Sequence, residues 1–218
     1  MPDIRHNMTG KAAFRHWLMA LALCVAAVGV CIAYVDRPLA EWLDARVRHT
    51  EFWAALNLAL YPFLLIVVAA LFFLLGCGIM LISGHSLRPR TAIPILCSWA
   101  TMWAIASEII LKRIFGRGWA DPTFVRDHFY GFHFLHCETH WDAFPSGTAT
   151  VSFAILAVLW ILKPRWRAAG TATVVLLSVA VVIGNYHWLS DVIAGCFLGV
   201  TVGWGTVALL YPIVQDRS

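Results

Sequence analysis

Long apolar segments alternate with short polar ones along the whole chain. A helix that crosses a bilayer needs about 20 mostly apolar residues. The pattern predicts six such helices, over residues 17–35, 54–82, 93–111, 146–162, 168–185 and 191–214. We therefore expect an all-α fold, in which residues 1–218 form a single polytopic membrane helical bundle with six transmembrane helices.

Composition supports a membrane protein, since 61% of the 218 residues are hydrophobic and only 13% are charged. A soluble domain carries roughly a quarter charged residues. The first apolar segment follows basic residues and resembles a signal peptide, but it is long enough to span and no small-residue cleavage site precedes Asp36. We expect it to be a retained span. Five of the six cysteines lie in apolar segments, so no disulfide framework is indicated.

Charge predicts the orientation of these spans. With six spans, both termini lie on one side of the membrane, together with the basic segments 83–91 and 163–167. Short loops rich in lysine and arginine mark the cytoplasmic side. The predicted topology is therefore N-in and C-in in a bacterial inner membrane, with the polar segments discussed below on the periplasmic side.

Two other patterns predict packing. Residues 37–51 place apolar side chains at helical spacing outside the first span, which favours an interfacial helix, with an ordinary connecting loop as the alternative. Gly195, Gly199 and Gly203 recur every four residues in the last span. Such a small-residue stripe is typical of close helix packing.

Three polar clusters lie at predicted span ends on one side of the membrane: residues 112–117, 144–148 and 184–191. Ionisable groups at a span end are costly without a partner or a function. Because the clusters contain cationic side chains and a helix start, they predict one anion-binding site built from distant parts of the sequence.

The strongest of these signals is the pair His187 and Asp191. Residues four apart share one face of a helix, so the carboxylate can orient the imidazole. The other ring nitrogen is then available as a nucleophile or base. The alternative is a structural histidine at the membrane interface.

The other two clusters offer groups that suit a phosphate. Lys112 lies four residues after Glu108, with which it can form a neutralising pair, and Arg117 supplies a planar donor fork. Ser146 can cap the following helix, while Gly147 allows close approach of an anion to the backbone. The alternative for this second cluster is a capped helix start without further function.

The order and spacing of the three clusters resemble the type-2 phosphatidic acid phosphatase superfamily of membrane lipid phosphatases. The resemblance covers residues 109 to about 199. It implies a histidine nucleophile at His187, oriented by Asp191 and forming a phosphohistidine. It also implies a set of phosphate-binding residues: Lys112, Arg117, Ser146, Gly147 and Thr148.

The chain departs from the family pattern at three positions. Thr148 stands where the family has a histidine that protonates the leaving group, and Trp119 and Val181 stand where it has arginines. Losing a general acid costs about two to four orders of magnitude in rate. A histidine of the loop between the first two clusters, His136 or His140, is a candidate substitute acid.

The same loop offers further alternatives. Arg113 or Arg126 could replace a missing phosphate ligand. The spacing of His133, His136 and His140 fits one helical face and could bind a metal, but the loop lacks a convincing further ligand, so we expect no metal and no cofactor.

The function predicted from these residues is hydrolysis of a lipid phosphomonoester or pyrophosphate at the outer leaflet. Undecaprenyl diphosphate is the preferred substrate, because its phosphate leaving group tolerates weak acid catalysis. Phosphatidic acid, phosphatidylglycerol phosphate and lipid A phosphates are the alternatives. The alternatives are a non-catalytic lipid-phosphate-binding relative and a lipid phosphotransferase. Nothing in the sequence indicates nucleic-acid binding, and the sequence does not determine an oligomeric state.

Overall fold

The structure is a computed structural model that describes residues 10–47, 50, 51, 55, 63–82, 91–135, 138 and 140–216. Helices dominate this described part, and no β-strand occurs in it. The main helices are α1 (Gly10–Val30), α2 (Asp36–Val47), α3 (Phe63–Ile82), α4 (Ala92–Phe115), α5 (Gly147–Leu162), α6 (Arg167–Ile183) and α7 (Leu189–Asp216). The all-α prediction is confirmed.

Helices α1 and α2 form one continuous rod, joined by a π-helical segment at Cys31–Val35. The sequence predicted a span followed by a separate interfacial helix. In the structure, α2 instead continues α1 and buries Asp36, Ala40 and Leu43. The reason is that the apolar side of α2 has protein partners, since Ala40 packs in a buried cluster around Trp188.

A helix is present within each of the six predicted spans. Four helical stretches are long and apolar enough to cross a membrane: Lys11–Val47, Ala92–Phe115, Pro164–Ile183 and Leu189–Val214. Helix α5 has 16 residues, and the apolar stretch described in α3 is Val68–Cys77, so both are shorter. Six spans and the N-in, C-in orientation remain predictions. Residues 54, 56–62 and 83–90, which bear on these predictions, lie outside the described residues.

The centre of the bundle is α5, which packs against α4, α6 and α7, while α1 packs on α7 and α3 packs on α4. Side chains from three helices form its largest buried apolar cluster: Leu96, Ala100, Ala104, Val151, Ala154, Val158 and Val207. The cluster consists of three alanines together with leucine and valine side chains, and the small alanines allow the helices to approach closely.

The glycine stripe of α7 lies against α5, as predicted. A Cβ on Gly195 would stand 2.6 Å from the carbonyl oxygen of Ser146, and a Cβ on Gly199 or Gly203 would overlap the backbone of α5. No larger residue fits there without moving one of the two helices. The stripe therefore fixes the position of the start of α5 beside the start of α7.

The ends of four helices meet at one end of the bundle. Helix α4 ends there at Gly116, which adopts the left-handed conformation (φ 49°) that glycine tolerates best, and its N–H donates to the carbonyl of Lys112 over 2.9 Å. Helices α5 and α7 begin at this end and α6 finishes there. All three polar clusters predicted from the sequence lie at these four helix ends.

Candidate active site

Arg117 lies at the centre of a buried polar network. It follows Gly116 directly, and its side chain is 1% exposed. Its Nη1 donates to Ser190 Oγ over 2.6 Å and to Asp191 Oδ1, and its Nη2 donates to Asp36 Oδ2 over 2.7 Å. Nη2 also lies 3.2 Å from the Tyr130 hydroxyl. The guanidinium thus joins α2, α7 and the loop after α4.

Aromatic rings enclose this guanidinium. Its central carbon lies 5.1 Å from the ring centroid of Phe132, 5.2 Å from that of Trp188 and 5.6 Å from that of Tyr130. Such cation–π contacts partly offset the loss of hydration. Burial acts to lower the pKa of Arg117, but the charges of Asp191 and Asp36 outweigh it and hold the pKa above its ordinary value.

The two carboxylates of this network also cap α7. Asp191 Oδ2 accepts the N–H of Trp188 over 3.0 Å, and Asp36 Oδ1 accepts the N–H of Ser190 over 3.2 Å. The Ser190 hydroxyl donates to Asp36 as well. Carboxylates at a helix N-terminus satisfy free amides and interact favourably with the helix dipole. Asp36 is therefore part of the site although it lies 154 residues before Ser190.

His187 is held by a backbone carbonyl. Its Nδ1 lies 3.0 Å from the oxygen of Ala143, and the Ala143 N–H in turn donates to the carbonyl of Arg117 over 3.0 Å. A carbonyl only accepts hydrogen bonds, so Nδ1 is the donor, and in the neutral ring Nε2 then carries the lone pair. The free nitrogen is the one that could attack an electrophile.

Asp191 contributes less directly to this orientation than the sequence predicted. Its Oδ2 lies 3.6 Å from His187 Nδ1, beyond hydrogen-bond distance, because the same carboxylate is bound by Arg117 and the Trp188 amide. The prediction that the aspartate orients the imidazole is corrected accordingly: the Ala143 carbonyl holds the ring, and Asp191 lies at ion-pair distance from it.

Ser146 caps α5, as predicted. Its side chain accepts the N–H of Ala149 over 3.5 Å, and its own N–H donates to the Asp191 carbonyl over 3.0 Å. The second contact fastens the start of α5 to the start of α7. Gly147 and the half-buried Thr148 follow in the first turn, where backbone amides have no acceptor within the helix.

Lys112 reaches the start of α5 through Glu108. Its Nζ lies 2.7 Å from Glu108 Oε1, and the two side chains are 15% and 13% exposed. The Glu108 carboxylate lies directly on Gly147, where any Cβ would overlap it. The lysine, this carboxylate and the first turn of α5 therefore lie together in one cluster at the bundle end.

One of the two predicted substitute acids, His140, packs on Trp119. His140 is exposed, its ring packs edge-on against Trp119 at 5.3 Å, and its carbonyl accepts the Trp119 N–H over 3.0 Å. His136, the other candidate, lies outside the described residues. Among the residues that are described, no group of three or more histidine, cysteine or acidic side chains could hold a metal ion.

Other groups replace the arginines that the family pattern leads one to expect. Val181 is buried with Ala149 and Val192, so an apolar contact fills that position. Trp119 donates its Nε1–H to Asp142 over 2.7 Å. Arg126, considered as a substitute ligand, is 62% exposed and pairs with Asp121 at 3.1 Å.

Sequence reasoning missed three contributors to the network: Asp36, Tyr130 and the Ala143 carbonyl. A signal existed for Asp36, because a carboxylate directly after an apolar run needs a buried or interfacial partner. No pattern marks Tyr130, whose hydroxyl donates to the Ile32 carbonyl in the π-helical segment over 2.7 Å. Backbone acceptors such as Ala143 carry no sequence signal at all.

Residues 92–215, which include α4 to α7 and the three polar clusters, match the PAP2 superfamily. The chain belongs to this superfamily. The matched region contains Glu108, Lys112, the start of α5 and His187. It does not contain Asp36, which belongs to the preceding helical rod.

Two curated relatives are similar over half of the chain. A protein of Rhizobium etli called lipid A 1-phosphatase is 40% identical over 113 residues, which cover 50% of this chain and 44% of the relative. A protein of the same name from Rhizobium johnstonii is 38% identical over 118 residues, or 49% of this chain and 46% of the relative. The match therefore spans less than half the length of either relative. No solved structure matches the chain significantly.

Proposed function

We propose that this chain is a membrane lipid phosphatase in which His187 attacks the phosphorus of a lipid phosphate. The observation that carries the proposal is the hydrogen bond from His187 Nδ1 to the Ala143 carbonyl, because it leaves Nε2 free as the nucleophile. The net negative charge of the buried network stabilises the positive charge that the ring acquires as a phosphohistidine. Membership of the superfamily supports the same assignment.

The phosphate is bound by Lys112 and by the first turn of α5. Amides of this turn, at Gly147 and Thr148, supply hydrogen bonds and the positive end of the helix dipole, and Ser146 fixes the turn in place. Arg117 was expected from the sequence to bind phosphate as well. Since its guanidinium is bound to two buried carboxylates, we assign it the role of positioning Asp191 instead.

The reaction has two steps. Nε2 of His187 forms a bond to phosphorus while the bond from phosphorus to the leaving oxygen breaks, and that oxygen keeps the electron pair and takes up a proton. Water then attacks phosphorus, the N–P bond breaks, and its electron pair returns to Nε2. The products are the dephosphorylated lipid and inorganic phosphate.

We propose a lipid A-type 1-phosphate as the substrate class, on the strength of the two relatives' names. Undecaprenyl diphosphate, favoured by sequence reasoning alone, is the competing substrate. In both cases the lipid chains stay in the bilayer while the phosphate reaches the interface. The proposed location is the inner membrane, with the pocket on the periplasmic side, as the basic loops predict.

The test uses the purified full chain in detergent with lipid A, undecaprenyl diphosphate and phosphatidic acid, and measures released phosphate. We expect turnover, highest with lipid A, and a radiolabelled phosphoenzyme when labelled substrate is quenched early. His187→Ala should lose both signals while keeping its melting temperature, whereas His16→Ala, an exposed histidine of α1, should retain both. Full activity in His187→Ala would overturn the mechanism.

The second candidate function is non-catalytic binding of lipid phosphates. Two substitutions favour it: Thr148 stands where the family has a histidine, and Val181 stands where it has an arginine. Such a protein would still bind phosphate through the groups proposed above. In the same experiment, a binder retains lipid-phosphate affinity but gives neither phosphate release nor a labelled enzyme.

A further inference from the structure

A carboxylate of the protein itself lies in the phosphate pocket. Glu108 belongs to α4, yet its carboxylate lies on the Gly147 backbone at the first turn of α5, where the proposed function places the substrate phosphate. Lys112, on its own helix one turn later, is the charged group in contact with it, at 2.7 Å. Both side chains are mostly buried, so this arrangement is built into the pocket rather than lying on the surface.

Within the described part of the chain, neither Thr148 nor His140 suits the transfer of a proton to the leaving oxygen. Thr148 is a neutral hydroxyl, which is a poor acid. His140 packs on Trp119 and is exposed. Glu108 is thus the acidic side chain that the described structure brings to the Gly147–Thr148 backbone.

We propose that Glu108 is the catalytic acid and base of this chain and takes over the function that resemblance assigns to a histidine at position 148. This inference rests on the proposed phosphatase function. The geometric basis is the direct contact of its carboxylate with the residue preceding Thr148.

Charge explains how Glu108 acquires the proton. A phosphate dianion beside Lys112 and the α5 amides brings two negative groups into the place that one carboxylate now occupies. Two such groups a few ångströms apart repel strongly in a partly buried pocket, and sharing a proton removes this repulsion. The proposal requires that the carboxyl group carry this proton in the substrate complex, adjacent to the phosphate oxygens.

The proton balance then closes over the two steps. As Nε2 of His187 bonds to phosphorus, the leaving oxygen takes the proton of Glu108, which becomes a carboxylate. In the second step the carboxylate accepts a proton from the attacking water while the N–P bond breaks. Glu108 is again protonated, His187 is neutral and HPO₄²⁻ is released.

The test compares leaving groups in Glu108→Gln. Glutamine keeps the shape of the side chain but cannot donate a carboxyl proton. With dioctanoyl phosphatidic acid, whose alkoxide leaving group needs a proton, we expect phosphoenzyme formation in a single turnover to slow about 100- to 10,000-fold. With p-nitrophenyl phosphate, whose phenolate leaves without one, we expect the same step to slow by less than about 10-fold. Hydrolysis of the phosphohistidine is common to both substrates and should slow equally. Glu41→Gln, an exposed glutamate of α2, is the matched control and should behave as wild type with both substrates.

A rescue variant separates chemistry from folding. In Glu108→Gln combined with Thr148→His, an imidazole stands at the position of the family's acid, and turnover of the alkyl phosphate should recover at least about 10-fold. A rate of phosphoenzyme formation in Glu108→Gln that is unchanged for both substrates, or reduced equally for both without rescue, would overturn the proposal. An unchanged kcat with a lower KM would show that Glu108 only competes with phosphate for Lys112.

Failure of the proposed phosphatase function gives a different result from failure of the proposal about Glu108. The phosphatase function fails if wild-type protein turns over neither substrate, or if His187→Ala remains active. A wild-type enzyme that needs His187 but is indifferent to Glu108→Gln overturns only the inference about the acid.

Discussion

Asp36 and Arg117, which are 81 residues apart in the sequence, form a buried ion pair with 2.7 Å between Oδ2 and Nη2. This pair connects the long N-terminal helical rod to the segment that follows α4. Because Asp36 lies before the residues that match the superfamily, part of the active-site support comes from outside the matched region. The rod is therefore a component of the candidate site.

The first prediction concerns this buried network. Arg117→Met leaves the Asp36 and Asp191 carboxylates close together without a cation and should lower the free energy of unfolding by about 3–5 kcal/mol. Asp36→Asn leaves a balanced Arg117–Asp191 pair and should cost only about 1–2 kcal/mol. Thermal unfolding in detergent measures both. Arg15→Met, at an exposed position of α1, is the control, and equal melting temperatures for Arg117→Met and this control would contradict the network's structural role.

The second prediction concerns the glycine stripe of α7. Gly199→Ala places a methyl group on the α5 backbone at Thr150 and should destabilise the protein by about 1–3 kcal/mol. Gly205→Ala lies on the same helix with nothing within 4 Å of the added Cβ, so it should be neutral or stabilise by up to about 1 kcal/mol. If both substitutions change the melting temperature equally, helix propensity rather than packing explains the stripe.

The third prediction concerns alkaline pH. Burial raises the pKa of Tyr130 to about 12, against the opposing effect of Arg117. An unfolded phenol titrates near 10, so between about pH 10 and 12 the unfolded chain loses this proton first and stability falls as pH rises. Tyr130→Phe removes this contribution. Its melting temperature should decline less steeply than that of wild type between pH 9.5 and 11.5 (about the titration window), and parallel curves would refute the assignment.

The fourth prediction concerns the loop histidine that sequence reasoning selected as an acid. His140 contacts Trp119 and is exposed, so His140→Ala should leave kcat for an alkyl phosphate unchanged. Phosphate release measured beside Glu108→Gln decides which side chain supplies the proton. A large loss in His140→Ala, with wild-type stability, would reinstate the histidine.

Much of the architecture follows from local sequence patterns. Apolar runs of membrane length predict where the helices are, and the structure has a helix at each of them. Ser146 predicts its own helix cap, and the spacing of Gly195, Gly199 and Gly203 predicts close packing, because both properties depend on the backbone within a few residues. The three polar clusters at span ends likewise predict where the site is.

The partners of the charged groups could be identified only from the tertiary structure. Arg117 looks equally suited to a phosphate or to a carboxylate in the sequence, and only the packing of α2 and α7 gives it Asp36 and Asp191. The pairing of Glu108 with Lys112 is visible from their spacing, but its position on Gly147 depends on how α4 crosses α5.

The sequence by itself thus determined the helices, the clustering of polar residues at helix ends and the superfamily motifs, because hydrophobic periodicity and capping are short-range properties. The tertiary structure decided which charged side chains pair with each other and which oxygen hydrogen-bonds His187. These pairings depend on distances between atoms of residues up to 154 positions apart in the sequence. In a buried site, a difference of a few ångströms changes whether a carboxylate orients a neighbouring ring, forms an ion pair or donates a proton.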